Sequence, residues 1–329
     1  MKSMVIAIGG NALIRPGEKG TVAEQLANAR GVAAQVASLV GEGHRILLTH
    51  GNGPQVGAEL LLSEQSAGTV PSHPLDICDA STQGEMGHLL QLALNSELKR
   101  AGLRKPVVTV LTQCVVSLDD PSMKNPTKPV GRFYTEEEAE VRRRRYGWTI
   151  CMDSGRGYRR VVPSPPPLEI IELETIRRLF DLGVLVIACG GGGIPVAWSG
   201  PSLVGVEAVI DKDLASSLLA SRLGVDLFVI GTDVDYVYLD YKKPSQETLR
   251  MVQADQLDGY ARAGQFPAGS MGPKVEAALE FMRGGGREAI IASVDHLSAA
   301  VAGRSGTHVY SGTFHELEVL AGEPAETQG

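Results

Sequence analysis

The chain has 329 residues, of which 43% are hydrophobic, 5% are aromatic and 39 are glycine. This composition favours a parallel α/β protein with glycine-bearing turns over a β-sandwich. The chain has 31 Lys and Arg residues and 38 Asp and Glu residues, which give a net charge of −7. Such a negative charge does not attract nucleic acid or an anionic membrane, so neither is expected as a partner.

The apolar runs and the cysteines indicate where the protein is located and which metal or disulfide sites are not expected. The first apolar run is too short for a signal peptide, and no run approaches the roughly 20 residues of a membrane span, so we expect a cytoplasmic protein. The four cysteines form no CxxC pair, so neither a zinc site nor a disulfide framework is predicted.

Strands and helices alternate along the first part of the chain. An apolar strand over 4–8 runs into Gly9, Gly10 and Asn11, where glycines allow a backbone to approach a ligand closely. In chain order, the patterns then predict a helix over 22–40, a strand over 45–49, a helix ending near 66, a helix over 81–101 and a strand over 106–116.

The loop that follows the second strand needs a separate interpretation. Gly51, Gly53 and Gly57 loosely imitate a dinucleotide-binding fingerprint, but the third glycine comes one residue late. Pro54 also removes a backbone N–H that a pyrophosphate cradle would use. Dinucleotide binding is therefore a weak alternative. The chain has no GxxxxGK[ST] sequence, so any phosphoryl chemistry is not of the P-loop class.

Residues 118–167, called the insertion below, break the α/β pattern. Proline, glycine and charged residues dominate there, which indicates a small protruding subdomain with little buried surface. Its four consecutive arginines, 142–145, follow a run of glutamates and are expected on a solvent-exposed helix.

Regular alternation returns after the insertion. The patterns predict a helix over 172–182, a strand over 184–189, a four-glycine loop over 190–193, a strand over 226–230, helices over 254–262 and 273–282, and strands over 288–293 and 308–310. The four glycines cost backbone entropy, so close approach of a ligand or another backbone is expected there. The tail from 316 shows no periodicity.

The stretch 204–223 carries the strongest chemical signal. Asp211, Lys212 and Asp213 precede a helix on which leucines recur, and Asp213 is predicted to be the N-cap. One interpretation is a capped surface helix with a local ion pair. The other is a phosphate-handling site, because a helix N-terminus attracts anions and Lys212 adds a charge that Asp213 would hold in place. Lys274, in the first turn of a later predicted helix, favours the second.

Several long motifs in order give the chain a family resemblance. They are IGGNAL, THGNGPQVG, PLD, LTQ, NPTKPVG, GRGYRRVVPSP, CGGGGIPV, GVEAVIDKDLA and GSMGPKVEAA. With these motifs the chain resembles the carbamate kinases of the amino acid kinase family. The resemblance implies a three-layer αβα sandwich with a mainly parallel central sheet, and a homodimer. It also implies one domain over 1–315, with an acceptor lobe over about 1–203, a nucleotide lobe over about 204–315, the subdomain at 118–167 and a tail at 316–329.

The resemblance also implies a reaction, ATP + carbamate ⇌ ADP + carbamoyl phosphate, with Mg²⁺ carried by ATP or ADP. Carbamate is already anionic, so no general base is required. The implied catalytic residues are Lys128, Lys212, Asp213 and Lys274. The implied acceptor site consists of Gly9, Gly10, Asn11, Gly51 and Asn52, with backbone N–H groups as donors. The implied nucleotide site consists of Lys212, Asp213, Thr232, Asp233, Tyr236, Ser270, Met271 and Lys274. No carboxylate is assigned to the metal.

Three positions depart from the family pattern. Arg132 stands where a proline usually follows NPTKPVG, Tyr158 replaces a usual tryptophan, and Asp233 replaces a glycine seen in some members. None of these changes removes a proposed catalytic group. Two alternatives remain open: another kinase of the same family that acts on a carboxylate or phosphate, and a non-catalytic binding module on a kinase fold.

Overall fold

A computed structural model describes residues 1–15, 17–153, 155–267 and 269–311. The predicted tail at 316–329 lies outside these residues. In chain order the strands are β1 (Ser3–Ile8), β2 (Arg45–His50), β3 (Val107–Thr109), β4 (Gln113–Val115), β5 (Lys128–Tyr134), β6 (Ile150–Met152), β7 (Tyr158–Val162), β8 (Glu169–Ile170), β9 (Leu185–Ile187), β10 (Ile194–Ser199), β11 (Ser202–Gly205), β12 (Leu227–Thr232), β13 (Val237–Leu239), β14 (Glu247–Leu249), β15 (Met251–Gln253), β16 (Glu288–Ser293) and β17 (Thr307–Tyr310).

Most of the longer helices lie close to their predicted ranges. The helices are α1 (Val22–Gly41), α2 (Gly53–Ser66), α3 (Leu75–Arg100), α4 (Pro121–Lys124), α5 (Glu136–Tyr146), α6 (Leu173–Asp181), α7 (Lys212–Leu223), α8 (Ala254–Arg262), α9 (Met271–Arg283) and α10 (Leu297–Val301). The short helices α4 and α10 were not predicted. Short 3-10 turns occupy Gly10–Ala12, Gly190–Gly192 and Val294–His296. Within the described ranges, none of the helices combines the length and apolar character needed to span a bilayer.

An eight-stranded sheet forms the middle layer of the fold. Its strand order is β15-β17-β16-β12-β1-β2-β9-β3, and every neighbouring pair is parallel except β16 and β17. Alternate residues of the fully buried β1 face two separate cores: Val5 and Ala7 belong to one, and Met4 and Ile6 to the other. Helices α7 and α9 cover the first face and α1 and α3 the second. The predicted αβα sandwich with a mainly parallel sheet is confirmed.

A second, four-stranded sheet explains one wrong prediction. The stretch 106–116 was expected to be a single strand, but it divides into β3, which pairs with β9 in the main sheet, and β4, which pairs with β10 in the second sheet. Because β-branched and apolar residues dominate the stretch on both sides of the break, its sequence does not show where the chain leaves one sheet for the other. The helix expected from 81 also begins earlier, at Leu75, directly after Pro74.

The insertion has a small core of its own. Strands β5, β7 and β6 form an antiparallel sheet covered by α5. Tyr134, Ala139 and Ile150 are buried within it, while Val130 and Val162 pack against residues of α2 and α3. Most of the other described residues of the insertion are exposed or only partly buried, as the expectation of little buried surface states. Its apolar residues are few but come together across three strands and a helix.

Candidate active site

Four adjacent strands of the main sheet, β16, β12, β1 and β2, end at one cavity of about 1150 Å³. Ligand sites of open α/β sheets lie at this carboxyl edge. Of the residues predicted for the site, the cavity is lined by Gly9, Gly10, Gly51, Asn52, Lys128, Lys212, Asp213, Thr232, Asp233, Ser270, Met271 and Lys274. Segments more than 250 residues apart in sequence, such as Gly9 and Lys274, thus meet at one place.

Asp213 joins the two lysines that the sequence singled out. Its Oδ1 accepts a hydrogen bond from the Lys212 ammonium, and its Oδ2 lies 3.1 Å from Lys274 Nζ. The Asp213 side chain is only 5% exposed. Burial alone would raise the pKa of this carboxyl, but the two lysines outweigh burial and lower it. Burial lowers the pKa of Lys212, and the negative charge of Asp213 opposes this lowering. The carboxylate therefore holds two ammonium groups at the cavity wall.

The N-cap of α7 corrects one prediction. Asp211, and not Asp213, caps the helix: its Oδ1 accepts from the Asp213 backbone N–H at 2.9 Å. Asp213 is the second helical residue, so its side chain is free to bridge the lysines. An Asp-Lys-Asp triplet offers two acidic residues to one helix start, and sequence alone does not decide which of them caps.

Lys128 reaches this cluster from the insertion. Its Nζ lies 3.1 Å from Asp211 Oδ2, with the lysine 39% and the aspartate 17% exposed. Asp211 thus has two tasks, because one oxygen caps α7 and the other pairs with the insertion. Sequence reasoning assigned it no role. Its place directly before Lys212 was the signal that could have found it.

Gly51 brings the two glycine loops and the Lys212 side chain into contact. A Cβ at Gly51 would lie 2.7 Å from Gly10 N and 3.2 Å from Lys212 Cδ, so no side chain fits there. The Gly51 N–H donates to Ile8 O at 2.9 Å. The prediction that this N–H serves the acceptor is therefore wrong, and Gly51 contributes close packing instead. The N–H groups of Gly10, Asn11 and Asn52 remain predicted donors.

Aromatic residues at the far end of the cavity differ from the prediction. Tyr236 is not among the lining residues; its ring stands edge-on to Tyr238 with centroids 6.5 Å apart. Tyr238 and Tyr241 line the cavity and stack at 5.8 Å, and Phe266 lines it as well. Three tyrosines within six residues, in a chain with few aromatics, were the available signal.

Two buried titratable groups lie beneath the glycine loops. Burial lowers the pKa of His50 to about 4, so its imidazole is neutral at physiological pH. Burial also raises the pKa of Asp79 to about 7, although a hydrogen bond from Asn52 opposes this shift. Asp79 Oδ1 accepts from Asn52 Nδ2 at 2.5 Å. Neither residue was among the site residues predicted from the sequence.

The Asp79 pKa predicts how stability depends on pH. Native Asp79 keeps its proton up to pH about 7, whereas the unfolded residue releases it near pH ~4. The advantage of the neutral native form is therefore lost as pH rises through this window. Asp79→Asn cannot ionise, so its free energy of unfolding relative to wild type should rise by roughly 2–3 kcal/mol between pH 5 and 8.

Urea denaturation at four pH values would measure this difference. The matched control is Asp255→Asn, since Asp255 is an exposed aspartate at the start of α8. The control should keep a constant offset from wild type. A constant offset for Asp79→Asn as well would show that Asp79 ionises normally in the folded protein.

Ion pairs join the insertion to the main body. Arg142 contacts Glu64 of α2, and both side chains are largely buried, at 14% and 10% exposure. Arg160 of β7 pairs with Glu207 at 2.5 Å. The prediction that the whole arginine run faces solvent is therefore wrong for Arg142. A glutamate on a distant helix removes it from solvent, and local charge patterning does not reveal that partner.

Comparisons with known proteins agree with this geometry. The model of the amino acid kinase family matches residues 2–293. A carbamate kinase of Pyrococcus furiosus is 47% identical over 94% of this chain and 99% of its own length, and one of Clostridium perfringens is 46% identical over 93% and 99%. The structure of a Giardia lamblia carbamate kinase bound to AMP-PNP superposes with a TM-score of 0.90 at 42% identity, covering 94% of this chain and 99% of that one.

The fold, the lysine–aspartate cluster and these similarities define the class. The chain belongs to the amino acid kinase family. Within that family, it belongs to the carbamate kinases.

Proposed function

We propose that the chain transfers a phosphoryl group reversibly between ATP and carbamate, giving ADP and carbamoyl phosphate. The observation that carries this proposal is the bridge from Lys212 through Asp213 to Lys274 at the cavity wall. Phosphoryl transfer needs positioning and charge stabilisation more than a covalent catalyst. The bridge supplies positioning and charge, because one buried carboxylate fixes two ammonium groups where the main sheet, α7 and α9 meet.

The charge balance of the cluster favours an anionic ligand. Lys128, Lys212 and Lys274 bring three positive charges, while Asp211 and Asp213 bring two negative ones. The cluster therefore carries one positive charge in excess, beside a helix N-terminus whose dipole also attracts anions. The transferring phosphoryl group supplies negative charge that this excess would stabilise.

The two ends of the cavity suit different ligands. The Gly10, Asn11 and Asn52 amides lie at the ends of β1 and β2 and are proposed to hold the acceptor. Residues around the end of β12 and the start of α9, namely Thr232, Asp233, Ser270 and Met271, are proposed to hold the nucleotide. Tyr238 and Tyr241 replace Tyr236 in that proposed site. Tyrosine rings give a base a flat surface on which to stack.

A magnesium ion carried by the nucleotide fits the donors available. Among the described residues no three His, Cys, Asp or Glu side chains are grouped as metal ligands. Magnesium at nucleotide sites uses phosphate oxygens, waters and one or two carboxylates, and Asp211 and Asp233 line the cavity. When bound, the ion would neutralise phosphate charge, and the lysines would stabilise the remainder.

A direct assay tests the proposed function. Purified protein should form ATP from ADP, Mg²⁺ and carbamoyl phosphate, and should form ADP from ATP in the presence of carbamate. Acetylglutamate and glutamate, offered as acceptors in parallel, should give no turnover above background. Turnover with either amino acid but not with carbamate would favour another kinase of the family, and no turnover with any acceptor would favour a binding module.

Lys128 gives a prediction about the insertion. Lys128→Ala should lower kcat/KM about tenfold or more, since it removes one charge of the proposed phosphoryl clamp. The melting temperature should hardly change, because the pair with Asp211 is partly exposed and such pairs contribute little. Steady-state kinetics and thermal denaturation measure the two effects.

The control for this prediction lies four residues away. Lys124 of α4 is exposed and is not among the cavity-lining residues, so Lys124→Ala should keep wild-type kinetics. Equal kinetics for Lys128→Ala and Lys124→Ala would reduce the insertion to a structural element.

The remaining family traits are also proposals. We infer a cytoplasmic homodimer, in which residues 1–203 bind the acceptor and residues 204–315 the nucleotide. The motif resemblance supports this arrangement, and the position of Gly10 and Asn52 on one side of the cavity and of Thr232 and Met271 on the other agrees with the division. Sedimentation of the purified protein would test the dimer.

A further inference from the structure

The side-chain amide of Asn52 is held from one direction by α3. Asn52 follows β2, lines the cavity and is 4% exposed. Its Nδ2 donates to Asp79 Oδ1 at 2.5 Å and to Thr82 Oγ1 at 2.8 Å. Both amide hydrogens are therefore used, and both go to the same helix.

The hydrogen-bond network decides which way this amide is turned. The Thr82 hydroxyl donates its own proton to the Asp79 backbone carbonyl at 2.8 Å, so its oxygen can only accept from Asn52. At pH 8, above the pKa of about 7 that burial gives it, Asp79 is a carboxylate and likewise accepts. Two independent acceptors thus require the NH₂ group of Asn52, and not its oxygen, to face α3.

The amide oxygen is left without a partner. No group in the described part of the chain donates to Asn52 Oδ1, and this oxygen is not among the atoms closed off from solvent. Gly191, in a left-handed conformation with φ of 69°, lies directly against the same amide, where any side chain would collide with it. A carbonyl-type acceptor therefore borders the proposed acceptor end of the cavity.

We propose that Asp79 and Thr82 are positioning residues that turn the Asn52 amide oxygen toward the substrate, where it accepts an N–H and so selects an acceptor that carries an amine beside its carboxylate. This inference rests on the proposed function. Carbamate and carbamoyl phosphate carry this amine, whereas acetate and acetyl phosphate carry a methyl group of similar size. A site built to pair with an N–H rejects an analogue that lacks it.

The experiment compares two phosphoryl donors in the direction of ATP synthesis. Values of kcat/KM for carbamoyl phosphate and for acetyl phosphate, with ADP and Mg²⁺ at pH 8, give a selectivity ratio. Asp79→Leu removes the charged acceptor at similar size and should lower this ratio about 10- to 100-fold. The ratio should fall because kcat/KM for carbamoyl phosphate decreases. The kcat/KM for acetyl phosphate and the KM for ADP should stay within about threefold of wild type.

Asp79→Asn is the matched variant, because its side-chain oxygen can still accept from Asn52 Nδ2. It should keep the ratio within a few-fold of wild type. The inference is overturned if folded Asp79→Leu keeps the selectivity ratio of wild type, including the case in which kcat/KM falls equally for both phosphoryl donors. Asp79 would then act only through the stability of the structure.

Thr82 keeps the inference testable if Asp79→Leu does not fold. Thr82→Val removes the second acceptor and should lower the ratio several-fold, while Thr82→Ser should retain it. An unchanged ratio in Thr82→Val would overturn the inference in that case. A wild-type protein that makes ATP from neither donor would instead refute the proposed function, and this inference with it.

Discussion

Lys212→Met should lower kcat about 10²- to 10³-fold, because it removes a preorganised charge at the position where negative charge develops. Methionine keeps the unbranched stem that passes against Gly51, so only the ammonium group is lost. Asp213 retains Lys274 as its partner, and the fold should survive. Steady-state kinetics in both directions, with circular dichroism and thermal denaturation, would measure this separation of activity from stability.

A lysine outside the cavity provides the comparison. Lys243 is 65% exposed and pairs with Asp240 at the surface, so Lys243→Met should leave kcat unchanged. Lys274→Met should behave like Lys212→Met, because the two lysines share Asp213. A folded, fully active Lys212→Met enzyme would remove the lysine from the mechanism and return this helix start to a purely structural role.

Asp213→Asn should have the second large effect, on activity and stability together. It leaves two largely buried ammonium groups without their shared carboxylate, and breaking a buried pair from one side typically costs about 3–5 kcal/mol. We expect kcat to fall about 100-fold, because both lysines lose the carboxylate that positions them and Lys212 loses the charge that opposes the effect of burial on its pKa. The kinetics of the folded variant and its urea denaturation at pH 7 would measure both losses.

The pH dependence gives Asp213→Asn a sharper test. The lysines lower the pKa of Asp213 below its ordinary value in the folded protein. Its contribution to stability is therefore present above the unfolded pKa near ~4 and is lost as pH falls through the folded value. The difference in the free energy of unfolding between Asp213→Asn and wild type should therefore decrease at acidic pH. A difference that is the same at pH 7 and at pH 3 would mean that Asp213 does not hold the lysines by charge.

Asp211→Asn is the control for this variant. Asparagine caps helices as well as aspartate does, so α7 should remain capped, and only the charge that faces Lys128 is removed. Its effects on stability should be smaller than those of Asp213→Asn, since the Asp211–Lys128 pair is partly exposed. Equal effects of the two variants would indicate that the cap, rather than the lysine bridge, dominates.

Periodicity predicted most of the fold. Helix 254–262 and strand 288–293 agree with the structure at both ends, because amphipathic and apolar runs there are bounded by turn residues. The stretch 106–116 could not be divided in the same way. Both halves are rich in β-branched and apolar residues, but they pair with different partners, β9 and β10. Strand pairing over long distances is not encoded in a local pattern.

The prediction of site residues from local sequence patterns also succeeds only in part. Local rules found Lys212 and Lys274, since both follow loops at helix starts. They placed the cap two residues too late and gave Gly51 a hydrogen-bonding role, because both choices depend on which atoms a folded neighbour occupies. Asp79 was missed because it lies within the long helix α3, and its burial beneath Asn52 is a tertiary property.

The central position of β1 has a consequence for biosynthesis. β1 leaves the ribosome long before β12, the sheet neighbour in which Leu227 pairs with Met4. Until that distant segment has been made, a strand that is apolar from Met4 to Ile8 has one unpaired edge, although β2 can already cover the other. Such an edge invites pairing with other chains. Nascent chains that end before β12 should therefore depend on chaperones, and premature termination there should yield aggregates rather than a stable half-protein.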